Sequence, residues 1–174
     1  AVWHRGAVDA DGKTGDGAGI HVEIPKDFFI EKIEVTGHDY DNSEICVGMI
    51  FLPRNDYSSQ ESCKTIVESE LTKNNFSIYG WRQVPVNPKI LGEKAFQTMP
   101  EIIQVLFKPN DSNLIDKNLE RKIYETRKKI ENKAFELSLN NFYICSISSK
   151  SIIYKGLYLA EAISDFYLDL KDKR

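Results

Sequence analysis

Between residues 44 and 53, in EICVGMIFLP, apolar side chains fall on both faces of an extended chain. Ile45, Val47, Met49 and Phe51 share one face, and Cys46, Ile50 and Leu52 share the other. A strand apolar on both faces is covered on both faces. EIIQVLFKP at 101–109 has the same character. GIHVEI (19–24) alternates instead: Ile20, Val22 and Ile24 lie together and leave His21 on the sheet surface. Pro25 suits a helix's first turn and opens KDFFIEKIEV, and residues 59–73 predict a second helix. FSIYGWRQVPV (76–86) is aromatic and β-branched, with Pro85 pushing its end to a sheet edge. The clearest helix runs from about Leu114 to Leu137, started by Asp111 or Ser112. Its stripe is Leu119, Ile123, Ile130, Ala134 and Leu137, and Lys, Arg and Glu fill its other faces. NFYICSISSKSIIYKG (141–156) predicts a hairpin joined at Ser149–Lys150, and LAEAISDFYLDL (159–170) a last helix or helical turn.

Doubly covered strands interrupted by helices suggest layers of helix, sheet, sheet and helix, and not a barrel or bundle. The strands at about 44–52, 101–108 and 142–155 should be central and buried on at least one face, with the 114–137 helix packed across them. Periodicity leaves open whether there is one sheet or two, while the hairpin and edge signals favour mixed or antiparallel strands.

The length of 174 residues fits one domain with a substantial core, and 41% hydrophobic with 28% charged residues is ordinary for a globular protein. A net charge of −3 with dispersed Lys and Arg gives no electrostatic reason to expect nucleic acid. No apolar run reaches the roughly 18–20 residues of a membrane span, and no signal peptide is visible. Cys46, Cys63 and Cys145 are odd in number and lack C-x-x-C spacing. They read as buried free thiols, and a cytoplasmic location is expected. The chain opens on Ala-Val-Trp without Met and closes on DLKDKR, like a piece of a longer protein.

The densest punctuation is at residues 4–19, HRGAVDADGKTGDGAG, which hold five of the ten glycines. The GKT is not a P-loop. That motif needs four residues between its glycines, whereas Gly6 and Gly12 enclose five, including the anions Asp9 and Asp11. Nor is it a calcium loop: with Asp9 and Asp11 at positions one and three, Lys13, Thr14 and Ile20 occupy positions five, six and twelve. A linker would favour Ser and Pro repeats, so a shaped loop at or beside a site is expected. Asp9 and Asp11 could equally be solvated loop residues.

Elsewhere the residues assemble no nucleophile elbow, and His4, His21 and His38 share no helix face with a carboxylate at metal spacing, so no metal site is expected. His38 follows Gly37 in a polar loop and reads as solvated. Gly80-Trp81-Arg82 reads as a ligand stack or as an edge-strand aromatic capped by its neighbour.

The opening stretch HRGAVDADGKTGDGAGI closely resembles the type-2 glutamine amidotransferase domain near the start of glutamate synthase large subunits. The resemblance continues through VGMIFLP (47–53), GWRQVPV (80–86), RKIYETRKKIE (121–131), FYICSISSKSIIYKG (142–156) and FYLDLKD (166–172), and spans essentially the whole chain. It implies an α+β, N-terminal nucleophile hydrolase-like fold, a four-layer αββα sandwich, here incomplete. It also implies glutamine hydrolysis to glutamate and ammonia by an N-terminal Cys whose own α-amino group is the base.

In that reading residues 1–174 are a partial glutaminase domain. The nucleophilic Cys lies upstream of Ala1 and the glutamine-binding segments follow Arg174, so the piece alone is expected to be inert. His4, Arg5, Gly6, Thr14, Gly15, Asp16, Gly17, Ala18 and Gly19 match the family's motif. They are expected to support the nucleophile, with Arg5 and Asp16 fixing backbone around it. The resemblance implies FMN and an iron–sulfur cluster for the full-length enzyme and no cofactor here. The implied partners are glutamine, the remaining domains of the large subunit, and a small electron-donating subunit in some members. It leaves open whether the electron donor is NADPH, NADH or ferredoxin. A non-catalytic docking or scaffolding module on the same fold is the alternative.

Overall fold

The computed structural model describes residues 7–174. These form two compact units, the larger comprising Val22–Gln83 and Pro100–Ile152. Its elements are α1 (Lys26–Val35), β2 (Cys46–Leu52), α2 (Tyr57–Lys73), β3 (Phe76–Gln83), β4 (Glu101–Pro109), α4 (Asp116–Glu136) and β5 (Tyr143–Ser148); β1 (Ala18–Glu23) and β6 (Ser151–Gly156) pair in a separate two-stranded sheet. The remaining helix α3 (Glu93–Gln97) and the short α5 (Ile163–Phe166) belong to the smaller unit.

The four-stranded sheet is antiparallel throughout, in the order β3-β4-β2-β5. The doubly apolar segments are its two central strands, as their pattern requires. One face carries Cys46, Ile50, Ile103, Val105 and Phe107, and packs with Val67 and Leu71 of α2 and Leu119, Ile123 and Ile130 of α4 in one buried cluster. On the other face the register aligns Arg82, Gln104, Met49 and Ser146 in a row across all four strands. Gln104 is fully buried there and accepts a hydrogen bond from Arg82 at 2.7 Å, so the one amide inside β4 has its oxygen satisfied.

Helix ends follow local chemistry. Asp56 caps α2, its Oδ1 accepting the Ser59 N–H at 3.0 Å. At the other end of α2 the buried Glu70 accepts from Lys133 of α4 at 2.5 Å, and Lys129 donates to Asn74 at 2.6 Å, so two cross-links join these helices.

Several expectations need correction. The 141–156 segment is not a hairpin. Its strands turn at Ser149–Lys150, but β5 pairs with β2 and β6 with β1. Glu120 of α4 accepts from Ser148 Oγ (3.0 Å), Ser149 N (2.7 Å) and Ser149 Oγ (2.8 Å), and so holds the turn from outside the ladder. β5 is therefore an edge strand of the larger sheet and not a central one. Leu137 leaves the α4 stripe and is 63% exposed, because the helix ends at Glu136 and Ser138 enters positive φ. Thr126 takes a buried place in the stripe, its hydroxyl donating to Lys122 O at 2.8 Å. Asp111 starts only a turn, accepting from Asn113 N, and α4 begins at Asp116. β3 stops at Gln83, before Pro85.

The smaller unit comprises the described residues up to His21 with Val84–Met99 and Ile153–Arg174. Aromatic rings fill it: Tyr154 on Tyr167 at 4.9 Å, Tyr158 on Phe166 at 5.3 Å, and Phe166 on Tyr167 at 4.8 Å. The last helix expected at 159–170 is broken into a 3₁₀ turn at Ala160–Ala162, α5, and a second 3₁₀ turn at Leu168–Lys171. Between α5 and that second turn, Tyr167 is extended and bridges Val86.

Candidate functional site

Val8 and Gly15 form an antiparallel bridge, and Asp9 N donates to Thr14 O at 2.9 Å, so residues 8–15 fold back on themselves. Asp11 organises the tip. Its Oδ1 accepts from Lys13 N (2.9 Å) and Thr14 N (2.7 Å), and its Oδ2 from the Thr14 hydroxyl (2.6 Å). These donors, the Thr14 hydroxyl first, hold the Asp11 carboxyl down to about 2. The backbone N–H of Glu93 at the start of α3 faces the same carboxylate, and Lys94 reaches Asp9 Oδ2 at 2.5 Å across 85 positions of sequence. Asp9 is held below its ordinary value chiefly by that hydrogen bond.

Gly92 lies where the loop meets this turn. A Cβ there would collide with the Asp11 carboxylate and the Thr14 hydroxyl. Thr14 and Gly15 are buried, although their neighbours are exposed. A Cβ on Gly15 would lie 2.7 Å from Tyr158 O and 2.9 Å from Tyr158 C, and one on Gly19 would lie 3.0 Å from Tyr154 O. Gly17, with φ +126°, and Gly12, with φ +68°, are the members that need glycine for their backbone conformation. The glycine loop is thus laid against the backbone of residues 154–159.

Of the residues singled out by sequence, Thr14, Gly15, Gly17, Ala18 and Gly19 follow one another along this packed stretch. Asp16 is exposed and donates its backbone N–H to Ala7 O at 3.2 Å. His4, Arg5 and Gly6 lie outside the described residues. Asp11 is exposed and Asp9 half-buried, and both are anchored by hydrogen bonds; Gly92 and Lys94 were not singled out at all. An Asp three residues before a Thr, with Gly between, is the Asx-turn signal for Asp11. Nothing near Gly92 in sequence points across to residue 11.

The other candidates resolve as structure. Trp81 donates to Glu68 of α2 at 2.6 Å, and Arg82 lies 5.3 Å over the Phe28 ring on the edge strand β3. His21 and His38 are exposed, and Thr36 Oγ1 lies 3.2 Å from His38 Nδ1. Cys46 on β2, Cys63 on α2 and Cys145 on β5 are buried and joined in no disulfide. Burial pushes Cys46 well up and Cys63 to about 11, far from a reactive thiolate. Among the described residues no three of His, Cys, Asp or Glu gather at one point for a metal, and no helix is long and apolar enough to cross a membrane.

The chain is 51% identical over its full length to the glutamate synthase [NADPH] large chain of Azospirillum brasilense. It is 41% identical, over 98% of its length, to a ferredoxin-dependent glutamate synthase of Arabidopsis thaliana, and 36% identical to one of Spinacia oleracea. It spans only about a tenth of the length of these relatives. The α+β architecture with two sheets is that of an incomplete αββα sandwich of the N-terminal nucleophile hydrolase type. With the family's sequence pattern matching residues 1–174 from end to end, the chain belongs to the class-II glutamine amidotransferases.

Proposed function

We propose that residues 1–174 are part of the glutaminase domain of a glutamate synthase large subunit. The observation that carries this is the 51% identity across all 174 residues to such a large chain, with the glycine loop inside the match. In this reading the nucleophile is the thiol of an N-terminal Cys upstream of Ala1, with its α-amino group as the base. The thiolate attacks the glutamine carboxamide, ammonia leaves, and water cleaves the resulting thioester to glutamate. The ammonia aminates 2-oxoglutarate in another part of the parent enzyme, in the cytoplasm. The role of the present chain is mechanical. Thr14, Gly15, Asp16, Gly17 and Gly19 hold the backbone beside the nucleophile, and the motif match extends to His4, Arg5 and Gly6.

FMN and an iron–sulfur cluster, which such an enzyme uses for the reductive step, would be held by other domains. The three cysteines here stand on three separate elements, and no step in this chain runs through either group. The remaining domains, and in some members a small electron-donating subunit, would be its partners.

The test is ammonia release from glutamine. The parent chain with its N-terminal Cys should turn over glutamine and lose that rate on Cys→Ala. The 174-residue piece alone should release none above background. Thiol-dependent release traced to Cys46, Cys63 or Cys145 would overturn the assignment, as would a parent chain with no glutamine-dependent rate.

A further inference from the structure

The sequence motif accounts for the loop's glycines but not for what the loop leans on. Its tip is a clasp. One carboxylate, Asp11, gathers two backbone N–H groups and the Thr14 hydroxyl within 2.9 Å. The Gly92–Glu93 backbone approaches the same atoms so closely that any Cβ at position 92 would force the Asp11 carboxylate and Thr14 hydroxyl to move. Asp9 and Lys94 pair beside it. Thr14 is drawn inward by this arrangement, and Gly15, the next residue, is the one pressed against Tyr158 and Leu159. A shift of Asp11 or Gly92 is therefore passed to Gly15 through one peptide unit.

We propose that Asp11 and Gly92 are positioning residues for glutamine hydrolysis, acting as one unit that sets where Thr14–Gly15 lies and touching neither substrate nor nucleophile. This rests on the reading of the parent as a glutaminase. Asp11→Asn removes the charged acceptor but keeps its shape. Gly92→Ala pushes the same clasp apart from the other side and leaves Asp11 intact.

In the full-length parent enzyme each variant should lower glutamine-dependent kcat by about 10- to 100-fold, the scale of a misplacement of up to about 1 Å. The rate with ammonia supplied directly should stay within about twofold of wild type. Because the two residues form one unit, the double variant should be no slower than the slower single variant within about threefold.

Equal loss of both rates would reduce the clasp to a folding element and overturn the proposal. So would unchanged kcat in both variants, or losses that multiply in the double variant. A wild-type parent without glutamine-dependent activity would overturn the underlying functional reading instead, so the two failures are distinguishable. Should Asp11→Asn not accumulate as folded protein, Gly92→Ala and Asp11→Glu, which keeps the charge but lengthens the arm, carry the same comparison.

Discussion

Gly15→Ala separates two reasons for which a chain uses glycine. Gly15 is not among the positive-φ residues, so its backbone would accept alanine. On conformation alone the substitution should stabilise the fold by about 0.4–1 kcal/mol, by restricting the unfolded chain. The structure gives the opposite sign. The new Cβ would stand 2.7 Å from Tyr158 O and 2.9 Å from Tyr158 C. An ordinary carbon–oxygen contact is roughly 3.3–3.6 Å, so the two segments must separate by about 0.6–0.9 Å. The obstructing atoms are backbone and cannot rotate away. Overpacking of this kind costs about 1–3 kcal/mol, and in a domain of this size each kcal/mol lowers Tm by about 2–4 °C. Net of the conformational gain, thermal unfolding followed by circular dichroism should therefore show a fall of up to about 10 °C. Gly12→Ala, with nothing within 4 Å but φ +68°, reports the conformational part alone. A rise in Tm for Gly15→Ala would refute the close approach of this loop to residues 158–159.

Further outcomes concern the α4 helix, the loop's Asp11 and the three thiols. Ile130→Ala, fully buried in the α4 stripe, removes three carbons worth about 0.8 kcal/mol each plus a cavity. It should cost about 3–4 kcal/mol by urea titration, within the usual large-to-small range. Phe135→Ala, at 86% exposure, should change stability by less than about 0.5 kcal/mol; comparable losses would put the helix in the wrong rotation. The folded pKa of Asp11 is depressed, so its contribution to stability is complete above its ordinary value of 3.8 and is lost as pH falls through about 2. Asp11→Asn should therefore flatten the fall in Tm between about pH 4 and pH 2, and an unchanged slope there would contradict the assigned hydrogen bonds. Finally, all three thiols should resist iodoacetamide at neutral pH in the native protein and react on denaturation, because each is buried and none is in a disulfide. Rapid native labelling of any of them would show that its strand or helix is misplaced.

The two central strands and the α4 stripe were legible because burial on both faces, or along one stripe, leaves a pattern in local sequence. Ile50, Ile103, Ile123 and Ile130 stand where that pattern puts them. The partnership of β5 and β6 was not legible. Two apolar runs with a short polar turn read as a hairpin, and only Glu120, some 28 positions earlier, shows that the turn is held from α4. Leu137 was misread because periodicity runs past a helix end that Ser138 sets through its backbone. In the site, the glycine run could be read as a shaped loop, but its reasons differ residue by residue. Gly17 has positive φ, whereas Gly15 lacks room for a side chain. The partner of Asp11 could not be read at all, since a requirement for glycine at position 92 exists only once residues far apart in the chain have met.

The smaller unit is sewn from three stretches, and two of its bridges join positions more than 70 residues apart: Lys94 to Asp9, and Tyr167 to Val86. Contacts of that span must await the closing of long loops, which makes them late events in folding. On the ribosome the consequence is one of order. Residues 8–15 emerge well before their partners, so Asp11 finds its seat only after Gly92 has been made, and Gly15 only after Tyr158. The loop at residues 8–15 therefore waits, unfinished, until residues 92 and 158 have been translated.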